Sequence, residues 1–120
     1  MNAKEALTAL LELDGIIGAC IVDSNSGMML GSVGGSPTFN LELAAAGNTE
    51  VVRSKRKTMK ALNLNDPIED VLITLGRQYH LVRPLRSNDA LFIYVALDRS
   101  RANLALARHK LAQAEKDLQV

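Results

Sequence analysis

The run Ala90-Leu-Phe-Ile-Tyr-Val-Ala-Leu97 constrains the fold more than any other stretch of the chain. It is too short for a helix and rich in β-branched and aromatic side chains. The turn formers Ser87-Asn88-Asp89 precede it and the charged pair Asp98-Arg99 follows. A strand with one wet face alternates apolar and polar residues, whereas a strand apolar at nearly every position is covered on both faces. The chain must therefore place amphipathic helices on both sides of a sheet. Burying each of Leu91, Ile93, Val95 and Leu97 is worth roughly 1.5–3 kcal/mol, which sets the scale of the cover.

The rest of the chain supplies that cover in order. Asn2 and Glu5 have the spacing of a capping box, and Ala3, Ala6, Leu7, Leu10 and Leu11 make one helical stripe, ended by Asp14-Gly15. Ile16 to Val22 reads as a second interior strand. Asp23 to Gly27 is a hairpin turn, and Met28 to Val33 returns as a strand. Gly34-Gly35-Ser36-Pro37 breaks the pattern and leads into a long helix, Leu41 to Leu62, capped by Thr38 or Asn40. Within it lies the run of small residues Ala44-Ala45-Ala46-Gly47. A helical glycine costs about 1 kcal/mol relative to alanine; close packing against the sheet or another helix would explain it, and so would a bend.

After a loop from Asn63 to Pro67 come Ile68–Leu75, a Gly76-Arg77 turn, Gln78–Leu85, a turn at Arg86–Asp89 and the central run, an antiparallel meander. Tyr79, Leu81 and Leu85 alternate with His80 and Val82, as in a less completely covered strand, with Pro84 near its end. Ser100 is placed to cap a last helix reaching about Leu118, with Leu104, Ala107, Leu111, Ala114 and Leu118 as its stripe. The element order is α-β-β-α-β-β-β-α. It predicts an α+β domain over residues 1–120, with a largely antiparallel five-stranded sheet and helices on both faces.

Chemistry is scarce in this sequence. With 48% hydrophobic and 22% charged residues it has the composition of an ordinary soluble globular protein. No apolar stretch nears the roughly 20 residues that cross a bilayer, and the N-terminus lacks signal-peptide character, so a cytoplasmic location is expected. The single Cys20 excludes an intramolecular disulfide and a cysteine-based zinc site, and its apolar setting predicts a buried thiol. The segment Gly31 to Pro37 lacks the lysine and Ser/Thr of a phosphate loop. His80 and His109 stand apart, Glu69 and Asp70 are adjacent and point away from each other, and no serine sits in a nucleophile elbow. No catalytic residue, metal site or cofactor is expected.

Charge is more informative. Residues 1–50 carry one base against six acids, a balance of −5, and residues 51–120 carry thirteen bases against seven acids, a balance of +6. The density peaks at Arg53, Lys55, Arg56, Lys57 and Lys60, with no acid between them. Three readings stay open: a solvated helix face, a protein-partner surface, or a nucleic-acid or anionic-membrane surface. With two Phe, two Tyr and no Trp, the chain offers few bases a stacking platform, so nucleic acid is not the expected partner.

Leu10-Leu-Glu-Leu-Asp-Gly-Ile-Ile-Gly-Ala-Cys-Ile-Val-Asp23 resembles the opening of the roadblock/dynein-light-chain family, in which a first helix runs into Gly-(Val/Ile)-x-Gly-Ala and a strand ending in Asp. The turn at Ser26-Gly27, the helix opening Glu42-Leu-Ala-Ala45, Asp70-Val-Leu-Ile-Thr74, the strand Tyr79–Leu85 and the apolar strand before the last helix also fit. The resemblance covers about Ala6 to Leu118. It implies a three-layer α/β/α, profilin-like domain with strand order 2-1-5-4-3, the first and last helices on one face and the middle helix on the other.

The resemblance also implies a homodimer that pairs middle helices and edge strands into one continuous sheet. Carried onto this chain, the dimer interface would take Leu43, Ala44, Ala46, Gly47, Glu50, Val51, Ile68, Asp70 and Leu72, and the basic residues Arg53, Lys55, Arg56, Lys57 and Lys60 would face a partner. The family's functions are regulatory: dynein subunits, scaffolds for small GTPases, and a bacterial gliding-motility regulator that stimulates its Ras-like GTPase by ordering the GTPase's own residues. The expectation is a homodimeric adaptor that binds a small Ras-like GTPase and stimulates its GTP hydrolysis. The alternatives are a scaffolding or motor light-chain-like subunit of a larger assembly, without effect on nucleotide chemistry, and a small-molecule sensor with a pocket between sheet and helix.

Overall fold

The computed structural model describes residues 1–119. The elements are α1 (Ala3–Leu10), β1 (Ile16–Asp23), β2 (Met28–Gly34), α2 (Leu41–Ala61), β3 (Val71–Thr74), β4 (Gln78–Pro84), β5 (Leu91–Asp98) and α3 (Leu104–Asp117). The strands form one sheet in the order β2-β1-β5-β4-β3, with every neighbouring pair antiparallel. This is the three-layer α+β arrangement, with the element order that the sequence predicts.

β5 lies at the centre, and its alternation divides the molecule into two cores. Leu91, Ile93, Val95 and Leu97 point to the α1/α3 face, where they meet Leu7, Leu10, Leu81 and Leu111. Phe92, Tyr94 and Ala96 point to the other face, where Cys20, Val22, Val82 and the α2 residues Leu41, Ala45 and Val52 close over them. Two-sided cover is why the run carries no polar residue.

Local chemistry fixes most element ends. The Asn2 side chain accepts from the Glu5 N–H at 2.8 Å and the Glu5 carboxylate accepts from the Asn2 N–H at 3.0 Å, a complete capping box. Asn40, not Thr38, caps α2 by accepting from Leu43 N–H at 3.1 Å. The other end of α2 closes with Asn63 in the left-handed region at φ 58°; Asn63 N–H donates to Lys60 and Leu64 N–H to Met59, the hydrogen-bond pair of a Schellman motif.

Four expectations are corrected. α1 stops at Leu10, with Leu11 as its C-cap, so Gly15 does not end the helix. Gly15 instead opens β1 at φ +79°, where a Cβ would stand 2.9 Å from the Asp98 carbonyl oxygen. α3 is capped by Asn103, which accepts from Leu106 N–H at 3.1 Å, and not by Ser100. Ser100 is held in the preceding turn, donating both its N–H and its hydroxyl to Asp98 Oδ1. These hydrogen bonds keep the Asp98 carboxyl below its ordinary pKa. β3 begins at Val71, three residues later than expected, because Glu69 and Asp70 are turned to arginines on other elements. β4 is covered on both faces, with Leu81 in the α1/α3 core and Val82 in the α2 core.

Candidate functional site

The middle helix has one face on the sheet and one in the open. Leu41, Ala45, Asn48, Thr49 and Val52 are buried at helical spacing. Asn48 and Thr49 can be buried because each returns its side-chain donor to a carbonyl one turn back, Ala44 and Ala45, at 2.8 Å. On the opposite side Leu43, Gly47, Glu50, Ser54, Lys57 and Ala61 follow one another at three- and four-residue steps, and all are exposed. Leu43 is 73% exposed, and a Cβ placed on Gly47 would meet nothing within 4 Å. Of the small-residue run, Ala45 is buried on the sheet and Ala44 is half-buried against the same core, whereas Ala46 and Gly47 are exposed, and α2 is one unbroken helix.

The other expected interface residues are dispersed around this stripe. Ala46 is exposed beside the β1–β2 turn, Ala44 and Val51 are half-buried, and Glu50 faces Arg53 at 3.8 Å. Ile68 and Asp70 lie in the segment before β3, and Leu72 lies in β3 with its side chain against the α1/α3 core. Asp70 is held within the chain. Its carboxylate, 12% exposed, takes a two-pronged grip from Arg108 at 2.8 and 3.0 Å.

The basic segment divides as well. Lys55, Lys57 and Lys60 are exposed, whereas Arg56 donates to the Asp89 carbonyl at 2.6 Å and so ties α2 to the β4–β5 turn. Arg56 and Lys60 also line a cleft of about 800 Å³ between α2 and that turn, with Met59, Ile68, Pro84 and Arg86. Arg86 was not singled out in the sequence because it stands alone in a turn, and only the fold brings it to the α2 cations. Across the turn it neighbours a buried ion pair, Arg83 to Glu115 at 3.1 Å, whose carboxylate also accepts from the Arg86 N–H.

The remaining reactive groups are structural in their setting. Cys20 is fully buried, and loss of water raises its thiol pKa to about 12, so it stays a neutral thiol. His80 is half-buried, with Nε2 2.7 Å from Gln78 Oε1 and Nδ1 3.1 Å from the Tyr94 hydroxyl. Gln78 Oε1 can only accept, so Nε2 carries the proton and Nδ1 accepts from Tyr94. Burial lowers the His80 pKa and, with the nearby Cys20, raises that of Tyr94. Among the described residues no three of His, Cys, Asp or Glu gather as metal ligands, and no helix is long and apolar enough to cross a membrane.

No family model matches the chain, and no curated protein matches it. Its fold is shared with solved structures. A Roadblock/LC7 domain from Streptomyces avermitilis superposes with a TM-score of 0.81 at 14% identity, over 97% of this chain and 93% of that one. MglB of Myxococcus xanthus gives 0.78 at 16% identity, over 93% and 89% of the two chains. The gliding protein MglB of Thermus thermophilus gives 0.72 at 18% identity, over 96% and 89%. The fold is thus that of the Roadblock/LC7 domain.

Proposed function

We propose that this chain is a cytoplasmic, homodimeric adaptor that binds a small Ras-like GTPase and stimulates its GTP hydrolysis by ordering the GTPase's own residues. The observation that carries the reading is the outward stripe of α2. A long helix whose exposed side holds Leu43 and a clear Gly47 is suited to lie against a second helix at close range. Leu43, Ala46, Gly47 and Glu50 would make the helix pair, with Ala44 and Val51 on its flank. The β3 edge, with Ile68, Asp70 and Leu72 at its start, would pair strand to strand and cover an otherwise open edge. A stable interface of this kind buries more than roughly 1,000 Å² in total.

The GTPase would be met by the cations Arg53, Lys55, Lys57 and Lys60, whereas Arg56 is already engaged with Asp89 and would hold the β4–β5 turn. Long-range attraction by such a cluster speeds the encounter with an acidic partner more than it tightens the complex. The regulatory functions implied by the roadblock resemblance support this reading.

Molar mass in solution tests the dimer. Wild type should run at twice the chain mass, and Gly47→Glu should move it towards the monomer; an unchanged mass in the variant would remove α2 from the interface. GTP hydrolysis by a Ras-like GTPase recovered with the protein from native extract tests the activity. Acceleration supports the regulator, and binding without acceleration would leave a scaffold in its place.

A further inference from the structure

The opposite side of the molecule carries a second unsatisfied surface. Residues 24–41 contain no charged side chain, in a chain of which 22% is charged. Within them lies β2, the terminal strand of the sheet on the side away from β3. Its faces are only half covered, with Met29, Gly31 and Val33 half-buried and Met28, Leu30 and Ser32 exposed. A Cβ on Gly31 would stand 3.1 Å from Leu7 of α1, and Met29 packs into the α2 core. Its outer edge is open, so alternate main-chain N–H and C=O groups face solvent there.

Edges left open are normally blunted by lysine, proline, an inward charge or a bulge. Of these β2 has a bulge alone: Ile21 pairs with Gly31 and Val22 with Met29, leaving Leu30 without a partner on β1. Met28 and Leu30 are 70% and 53% exposed. At the start of the strand Gly27, Met28, Met29 and Glu42 line a cleft of about 350 Å³.

Charge decides what such an edge would take. No lysine or arginine occurs between Lys4 and Arg53, and the charged side chains that this segment places at the edge are carboxylates, Glu42 in the cleft and Asp23 opposite Met28 in the ladder. A second copy would bring the same edge, with its carboxylates, against itself, with a bulge on each strand. A basic segment would meet no repulsion.

We propose that the outer edge of β2 binds an extended segment of a partner protein, which adds as a sixth strand, sets apolar side chains beside Met28 and Leu30, and places a basic residue at Glu42. Main-chain pairing would give the affinity, and the Met28/Leu30 surface with Glu42 the selectivity. The strand edge lies at the end of the sheet away from β3, and it borders the proposed helix pair where Ala46 stands beside Gly27.

The test uses the whole chain, labelled for amide NMR, and a synthetic peptide alternating valine and threonine with lysine at both ends. Saturable shifts should appear at the amides of Met28 to Gly34. N-methylation of alternate peptide residues, which blocks one hydrogen-bonding edge, should weaken binding about tenfold or more. Glu42→Arg, an exposed substitution, should weaken it about threefold to tenfold, while its own amide spectrum reports that the fold is kept. Three results would overturn the proposal: no shifts up to the solubility of the peptide, shifts on β3 or α2 instead, or equal binding by the N-methylated peptide. β2 amides that broaden with protein concentration in the absence of peptide would also overturn it, by assigning the edge to a second copy.

Discussion

The two faces of the sheet are held in different ways. On the α1/α3 face the core is aliphatic: Leu7, Leu10, Leu81, Ile93, Leu97 and Leu111 are each at most 2% exposed, and two helices share the cover. On the α2 face a single helix contributes Leu41, Ala45 and Val52 to a core that also holds Cys20 and Tyr94, with His80 at its rim. The first face is built for stability. The second commits less apolar area and leaves half of its helix facing outwards, as expected of an element with a further partner to hold it.

The largest effect should come from the aliphatic side. Leu111→Ala removes a buried side chain between α3 and β5 and should lower stability by about 3 kcal/mol, read by denaturant unfolding. Val52→Ala on the α2 face should cost about 2 kcal/mol, two buried methyl groups. The two variants separate the faces further by concentration dependence. If α2 is completed by a second copy, the loss in Val52→Ala should grow on dilution, and that in Leu111→Ala should change less. Equal behaviour of the two on dilution would break the comparison.

The same contrast governs what could be read from the sequence. β5 was legible because two-sided burial leaves an apolar run that no surface strand shows, and α1 began where its capping box requires. The start of α3 was not legible because the segment Asp98 to Asn103 offers two capping residues. Ser100 is consumed by the Asp98 side chain, a local competition that spacing does not reveal. The start of β3 was hidden for a tertiary reason: Asp70 finds Arg108, 38 residues away in sequence, and leaves the strand direction to do so. Leu43, Gly47 and Glu50 are interface residues only by the family resemblance, and the structure exposes all three; the link between Arg56, Lys60 and Arg86 exists only once the β4–β5 turn is folded against the helix.

A smaller effect tests the outward stripe itself. Gly47→Ala has room for its methyl group and removes a flexible helical residue, so the isolated chain should gain about 1 kcal/mol. In a helix pair the same methyl would sit in the contact. The variant should therefore melt higher than wild type at low concentration and lose that advantage as concentration rises. A gain that is independent of concentration would place Gly47 in solvent.

The smallest effect belongs to the polar rim of the α2 core. His80 is kept neutral by burial, its pKa below the ordinary value of 6.5, while Nδ1 accepts from Tyr94 and Nε2–H donates to Gln78. The unfolded chain thus binds this proton more readily than the folded one. His80 contributes its full stability above the unfolded pKa of about 6.5 and loses it progressively as pH falls through that value towards the lowered folded pKa. Protonation would also turn Nδ1 from acceptor to donor and force the Tyr94 hydroxyl to reorient. Unfolding free energy measured between pH 8 and pH 5.5 should fall more steeply for wild type than for His80→Gln, which keeps a polar side chain but does not titrate. The carboxylates and His109 are common to both proteins, so the difference between the two curves isolates His80. Parallel curves would show that the imidazole sees as much water folded as unfolded.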